Sequence, residues 1–209
     1  MNTPFSRPDL SRFIQEGTDA AVSKVTFPDG TQQSTSASPR PTAFTQSDVI
    51  REFTVLPGNP NEVTNPGNNK QGAVTELSTS IVLPEANQNV FINCRVVGEL
   101  DVNSADFGMI LHRSGGTGGS KFLRAAADGD RGRFISPNVI SMSSQDTSTL
   151  DTMIVTYVDT TTSADTYTYT PVCVNTGAHN KDYRLNKVQS NASTLNFEVA
   201  VSTMVLQVI

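Results

Sequence analysis

The chain has 209 residues, of which 36% are hydrophobic and 17% charged, and its formal net charge is −5. Both fractions are low for a globular enzyme, and the length suits one domain with an arm or two small domains. Because proteins that bind nucleic acid are normally basic, the acidic balance argues against a DNA or RNA partner. The sequence contains no run of about 18 apolar residues, so we expect no membrane insertion.

The first 24 residues are predicted to form an attachment arm. Leu10, Phe13 and Ile14 share one face at helical spacing, and Pro8-Asp9 suits the first turn of a helix. Three large apolar side chains cannot form a core alone, so we expect this helical or extended segment to become ordered against a partner.

Residues 25–71 are dominated by turn-forming residues. Pro28-Asp29-Gly30 is a strong turn signal, and Pro57-Gly58 and Asn65-Pro66-Gly67 follow within the same stretch. Such a composition cannot bury much apolar surface. We predict a linker that contains one short strand near Ile50–Leu56.

From residue 72 to residue 209 the apolar residues follow a period of two, which predicts an all-β head. Turn signals recur at the spacing of an antiparallel β-sandwich of the jelly-roll kind, and no helical pattern interrupts them. The predicted strands, including the one in the linker, are 50–56, 73–83, 88–98, 106–113, 133–141, 149–158, 165–174 and 195–208.

The same periodicity predicts which side chains face the core. The alternation places Cys94 on a core face, as a buried and inert thiol. Near the C-terminus, Phe197, Val199 and Val201 are predicted to share one face. The continuous apolar run Met153–Val155 predicts a strand that is buried on both faces.

Cys94 and Cys173 are the two cysteines, and 78 residues separate them. This is neither a disulfide framework nor a metal-ligand spacing, so we expect free thiols and assembly in a reducing cytoplasm. The N-terminus also lacks the apolar core of a signal peptide, from which we expect release by lysis if the protein acts outside a cell.

Candidate catalytic groups are few. His112 ends an apolar strand and His179 lies in a turn, and neither is near a nucleophile-elbow motif. The run Gly115–Lys121 departs from a phosphate-binding loop because its Lys follows the Ser, so we predict a hairpin loop. Asp128-Gly129-Asp130 lacks the further ligands of a calcium loop. We therefore expect no catalytic residues, cofactor or metal, and no enzyme activity.

One region of this acidic chain is basic. The window from residue 113 to residue 133 holds five positive side chains against two negative ones, whereas Phe134–Asn180 contains no Lys or Arg. The functional interpretation is an anion-binding or receptor loop for cell-surface phosphate or acidic sugar. The alternative, which we favour, is a set of salt bridges within a subunit or between copies. The positive residues are Arg113, Lys121, Arg124, Arg131 and Arg133.

The segment VTFPDGTQQS, Val25–Ser34, resembles a motif common in tail-fibre and related virion proteins of tailed phages. The C-terminal half resembles the β-rich fibre-tip domains of marine and cyanobacterial phage proteins. The matching features there are the strand Phe107–His112, the Gly/Arg-rich loop Gly115–Arg133, the Thr-rich strands Met153–Val158 and Tyr167–Val174, and the ending Val201–Ile209.

The resemblance implies a homotrimeric virion protein without catalytic residues. It also implies that the apolar side chains and the turn of the segment pack between parallel copies, which makes a trimer junction of Val25, Phe27, Pro28, Asp29 and Gly30. The first hypothesis is a short tail fibre on the tail or baseplate whose head contacts the host, with a cell-surface glycan as the candidate receptor. The second is a capsid-decorating or head-fibre protein. A polysaccharide depolymerase is the third, although such tailspikes are usually longer and carry repeats.

Overall fold

The computed structural model describes residues 25–26, 32–33, 40–58, 71–100, 107–126, 134–138, 150–188 and 199–209. The chain divides into two compact units, Met1–Arg40 and Pro41–Ile209. In the first unit, β1 (Val25–Thr26) pairs antiparallel with β2 (Gln32–Gln33), with Val25 opposite Gln33. The arm residues Leu10, Phe13 and Ile14, and Phe27–Gly30 of the predicted junction, lie outside the described residues.

Over its described residues, the second unit is built of strands and one short 3-10 turn, Thr75–Leu77. The strands are β3 (Thr42–Ser47), β4 (Arg51–Val55), β5 (Gln71–Ala73), β6 (Thr79–Val82), β7 (Asn89–Leu100), β8 (Phe107–Gly115), β9 (Lys121–Leu123), β10 (Ser136–Asn138), β11 (Asp151–Thr160), β12 (Thr166–Asn175), β13 (Lys181–Leu185) and β14 (Ser202–Val208).

These strands form two antiparallel sheets of six strands each. In sheet 1 the order is β3-β14-β7-β13-β4, and β11 lies on the other edge of β7. In sheet 2 the order is β10-β8-β12-β5, with β6 beside β12 and β9 beside β8. The chain passes repeatedly between the sheets, so that β3 pairs with the last strand, β14, and β6 pairs with β12. This nesting is the double Greek key of a jelly roll, which confirms the predicted all-β sandwich.

The core lies between the sheets and follows the predicted alternation in β7, where Val90, Ile92, Cys94 and Val96 are fully buried. The outer face of sheet 2 is also covered within the chain. There, Ile110 of β8 joins Val172 and Val174 of β12 in a second apolar cluster, against which Ala73, Phe122 and Phe134 pack. Sheet 2 is therefore buried on both faces over this region.

Two predictions about which faces are buried are wrong. Ile154 is 56% exposed between the buried Met153 and Val155, so β11 is buried on one face, whereas β8 and the end of β12 are buried on both. Val199 is also exposed, because β14 begins only at Ser202 and turns its even-numbered residues, such as Met204, towards the core.

The sandwich also begins earlier than predicted. Residues 42–55 were predicted to belong to a linker with one strand, but both β3 and β4 are strands of sheet 1. The inward positions of β3 are Ala43, Thr45 and Ser47, which carry little apolar signal. Pairing with β14, rather than hydrophobic periodicity, places β3 in the sheet.

Candidate recognition loop and its buried charge network

Strands β8 and β9 form a hairpin whose loop, Gly116–Ser120, is the candidate recognition loop. Arg113 lies opposite Lys121, and His112 lies opposite Phe122. The backbone at Gly116 has a φ of +71°, and a Cβ there would come within 2.3 Å of the Tyr167 ring. Only glycine fits both requirements. The predicted hairpin loop is confirmed, and its residues 117–120 are exposed.

The base of the hairpin is held by a buried carboxylate. Asp159 of β11 accepts from Arg113 Nη1 at 2.9 Å and from Tyr169 Oη at 3.0 Å through its Oδ2 atom. Lys121 Nζ lies 2.9 Å from the other oxygen, Oδ1. Because Asp159 belongs to sheet 1 and its three partners to sheet 2, the network joins the two layers of the sandwich.

The surroundings of this network shift the pKa values of its neighbours. Burial, followed by the charge of Asp159, raises the pKa of the Tyr169 hydroxyl far above its usual range, so this group stays a donor. The Arg113 guanidinium also lies 5.2 Å from the centroid of the Tyr167 ring, at cation–π distance. The Asp159 carboxylate therefore accepts from the guanidinium of Arg113 and from a Tyr169 hydroxyl that keeps its proton.

Further hydrogen bonds fix the loop to the turn that joins β11 and β12. The backbone N–H of Thr117 donates to Ser163 Oγ at 3.2 Å, and Ser163 Oγ lies 2.7 Å from Tyr167 Oη. Tyr167 Oη also donates to the carbonyl of Ser163 at 3.2 Å. The loop thus packs on the ring of Tyr167 at Gly116 and is hydrogen-bonded to Ser163 through Thr117.

The structure describes three of the five predicted basic residues, and their environments differ. Arg113 is buried and committed to Asp159, so it is not available to an external anion, and its inclusion in the anion-binding loop is wrong. Lys121 also pairs with Asp159, but its side chain remains 43% exposed. Arg124 is half-buried, and Arg131 and Arg133 lie outside the described residues. Arg113 and Lys121 thus both form salt bridges within the subunit, and of the two only Lys121 keeps an exposed side chain.

Asp159 is not among the site residues predicted from the sequence, although the sequence contains a signal for it. In β11 the odd-numbered residues Met153 and Val155 face the core, and Asp159 continues that parity. In β8, Arg113 continues the inward parity of Phe107, Met109 and Leu111. A charge at an inward position needs a partner, so two such charges of opposite sign indicate an ion pair.

The remaining candidates for chemistry are dispersed. His112 packs its ring 4.9 Å from that of Phe122, and burial lowers the pKa of its imidazole. His179 is exposed, in the turn before β13. Both thiols are buried, as predicted for Cys94. Within the described ranges, no three His, Cys, Asp or Glu side chains come together as metal ligands, and no helix has the length and apolarity to cross a membrane.

Comparisons with known proteins give a weak similarity in fold. No family model matches the chain, and no curated protein matches it. Among solved structures, it is similar to "Structure of Eiger TNF from S. frugiperda", with 8% sequence identity and a TM-score of 0.38 over 82% of this chain and 93% of that one. At this level, the similarity supports no conclusion about function or assembly.

Proposed function

We propose that the chain is a structural virion protein of a tailed phage, a homotrimeric short tail fibre. Its N-terminal arm attaches to the tail or baseplate, and its β-sandwich head contacts the host surface. The observation that supports this most directly is the division of the chain after Arg40, which separates a unit containing the fibre-like segment from a jelly-roll head. An arm followed by a compact head is the organisation of a fibre that binds at both ends.

The loop Gly116–Ser120 is the proposed host contact. A binding loop held rigidly by its scaffold loses less conformational entropy on binding than a loop without such support. The Asp159 network and Ser163 supply that support, and two cations share one carboxylate at the loop base. The half-exposed ammonium of Lys121 makes an anionic or hydroxyl-rich cell-surface glycan the fitting receptor.

Immunogold labelling of intact particles tests the proposal. We expect label on the tail or baseplate. Label on the capsid faces would instead support a capsid-decorating or head-fibre protein, and particles without label would overturn the virion assignment. Release of reducing sugar from host envelope polysaccharide by the purified chain would support a depolymerase.

Competition for adsorption tests the role of the loop. Purified protein should reduce phage adsorption to host cells, and the variant Lys121→Gln should compete less well because it removes the exposed charge without placing a second carboxylate beside Asp159. Val82→Glu, which changes the charge by the same amount at an exposed position on the outer surface of β6, is the control. Equal competition by both variants would contradict a role of the loop in host contact.

A further inference from the structure

Among the described residues, the outer face of sheet 1 is uncovered over β3, β14, β11 and the first half of β7, whereas Val97 and Glu99 further along β7 are buried. On this face the strands lie in the order β3, β14, β7, β11, and their registers set residues side by side. One row across the sheet is Phe44, Val205, Asn93 and Thr156, and the next is Thr42, Gln207, Phe91 and Val158. A third row ends at Ile154 of β11.

Large apolar side chains are exposed on both sides of this face. Phe44 on β3 is 59% exposed, and Ile154 and Val158 on β11 are 56% and 48% exposed. Between them, Phe91 and Val205 are half-buried. Two apolar pairs lie side by side on adjacent strands, Phe44 with Val205 and Phe91 with Val158, and polar side chains occupy the positions between them. Grouped apolar residues of this kind differ from single exposed ones, which need no explanation.

The charge of the face indicates what covers it. On the part of the face formed by β3, β14, β11 and Asn89–Arg95 of β7, Arg95 is the only charged residue among the described outward positions. The β4–β13 part of the same face carries Glu52 and Asp182. The outward positions of the first part are Thr42, Phe44, Gln46, Asn89, Phe91, Asn93, Arg95, Thr152, Ile154, Thr156, Val158, Thr160, Thr203, Val205 and Gln207. Depletion of charge is typical of interface cores. This part of the face therefore offers no carboxylate to a basic partner and one cation, Arg95, to an acidic partner.

A second copy of this chain fits these properties. Each copy carries a formal charge of −5, so copies repel unless they meet where carboxylates are absent. The part of the face formed by β3, β14, β11 and the first half of β7 meets that condition, and Arg95 is the one charge among its described outward residues. Its two flanks also differ: Phe44 lies on β3, and Ile154 and Val158 lie on β11, at the opposite side of the sheet. A contact between unlike flanks is heterologous and closes into a ring when the rotation is threefold.

We propose that the outer face of sheet 1 packs the heads of neighbouring copies together, with the β11 flank of one copy against the β3 flank of the next. This inference rests on the proposed trimeric fibre and assigns its head contact. Strand β11 is also an edge strand of sheet 1, since β7 is its one strand partner in the described part of the chain.

Charge insertion on the face tests the proposal. The double variant Ile154→Asp/Val158→Asp should weaken the trimer by about tenfold or more, because it buries two carboxylates in an apolar contact. Val82→Asp, on β6 of sheet 2 and 64% exposed, is the matched control and should leave the trimer intact. Sedimentation across a range of concentrations measures both, and circular dichroism establishes that each variant is folded.

Crosslinking with a short bismaleimide provides a second, independent measurement. Both native thiols are buried, so introduced cysteines react selectively. The variant Phe44→Cys/Ile154→Cys should give covalent trimers, and each single variant should give little product. Efficient dimers from a single variant would indicate a twofold contact and overturn the heterologous arrangement.

The outcomes separate this inference from the function on which it rests. A wild-type trimer that survives the two Asp substitutions, or that dissociates with Val82→Asp instead, would overturn the assigned face and leave the fibre proposal standing. A monomeric wild-type protein would overturn both the assigned face and the trimer. Immunogold label on the tail would still support the virion location in that case.

Discussion

At the scale of single residues, the Tyr183 hydroxyl is unusual. Its ring stacks on that of Phe107, with centroids 5.7 Å apart, and packs against Phe53 at 5.6 Å. The hydroxyl is buried and has no hydrogen-bond partner among the described residues, and burial raises its pKa well above the usual range. A buried polar group without a partner costs free energy, so the ring stabilises the core while the hydroxyl opposes it.

The variant Tyr183→Phe should therefore keep or raise the free energy of unfolding, by up to about 1 kcal/mol, since it removes an unpaired donor and keeps the ring. Urea unfolding measures the change. The matched control is Tyr169→Phe, which removes a hydroxyl bonded to Asp159 and should lower the unfolding free energy by about 1–3 kcal/mol. A clear loss of stability in Tyr183→Phe would mean that its hydroxyl is paired in solution.

At the scale of elements, the ion pair between Arg113 and Asp159 connects β8 to β11. The variant Asp159→Asn leaves a buried guanidinium without its anion and should lower the unfolding free energy by about 3–5 kcal/mol. Replacing both partners, in Arg113→Met/Asp159→Leu, should restore much of that loss because no buried charge is left unpaired; Lys121, which also loses its partner, is 43% exposed. Urea unfolding of Arg113→Met, Asp159→Leu and the double variant completes the cycle.

A second ion pair provides the control for burial. Arg184 and Glu52 join β13 to β4 at 2.9 Å, but the Glu52 side chain is largely exposed. The variant Glu52→Gln should lower the unfolding free energy by less than about 1 kcal/mol. Equal losses at the two sites would contradict the view that burial makes Asp159 indispensable.

How far the sequence predicts these elements depends on their inward residues. In β7, β8 and β12 the inward positions are strongly apolar, so a period of two located all three strands. In β13 the inward residues are Lys181, Tyr183 and Leu185, and the lysine hides the pattern. The pairing of Arg113 with Asp159 depends on how two sheets face each other, which a period along one strand does not contain. The alternation along each strand can indicate that Arg113 and Asp159 are buried, but only the packing of the two sheets shows that they pair.

At the scale of the whole molecule, the free energy of unfolding should decrease at alkaline pH, because each of the two sheets contains a buried thiol. Burial raises the pKa of Cys173 to about 12 and that of Cys94 further, from an ordinary value of 9.0. Above pH 9 the thiols ionise in the unfolded chain but not in the folded one, so unfolding releases protons. The stability is fully present below this pH and decreases as the pH rises, by about 1.4 kcal/mol per pH unit for each thiol.

Urea unfolding at about pH 8, 9 and 10 measures this slope, and the variant Cys94→Ala/Cys173→Ala separates its sources. The variant should unfold at lower urea at every pH because its core has lost volume, but its stability should decrease less between pH 9 and pH 10 than that of the wild type. The slope that remains should belong to Tyr169 and Tyr183, whose hydroxyls are also held protonated by burial. An unchanged slope in the variant would mean that the thiols already ionise in the folded sandwich, and that the contact between the two sheets at Cys94 and Cys173 admits water.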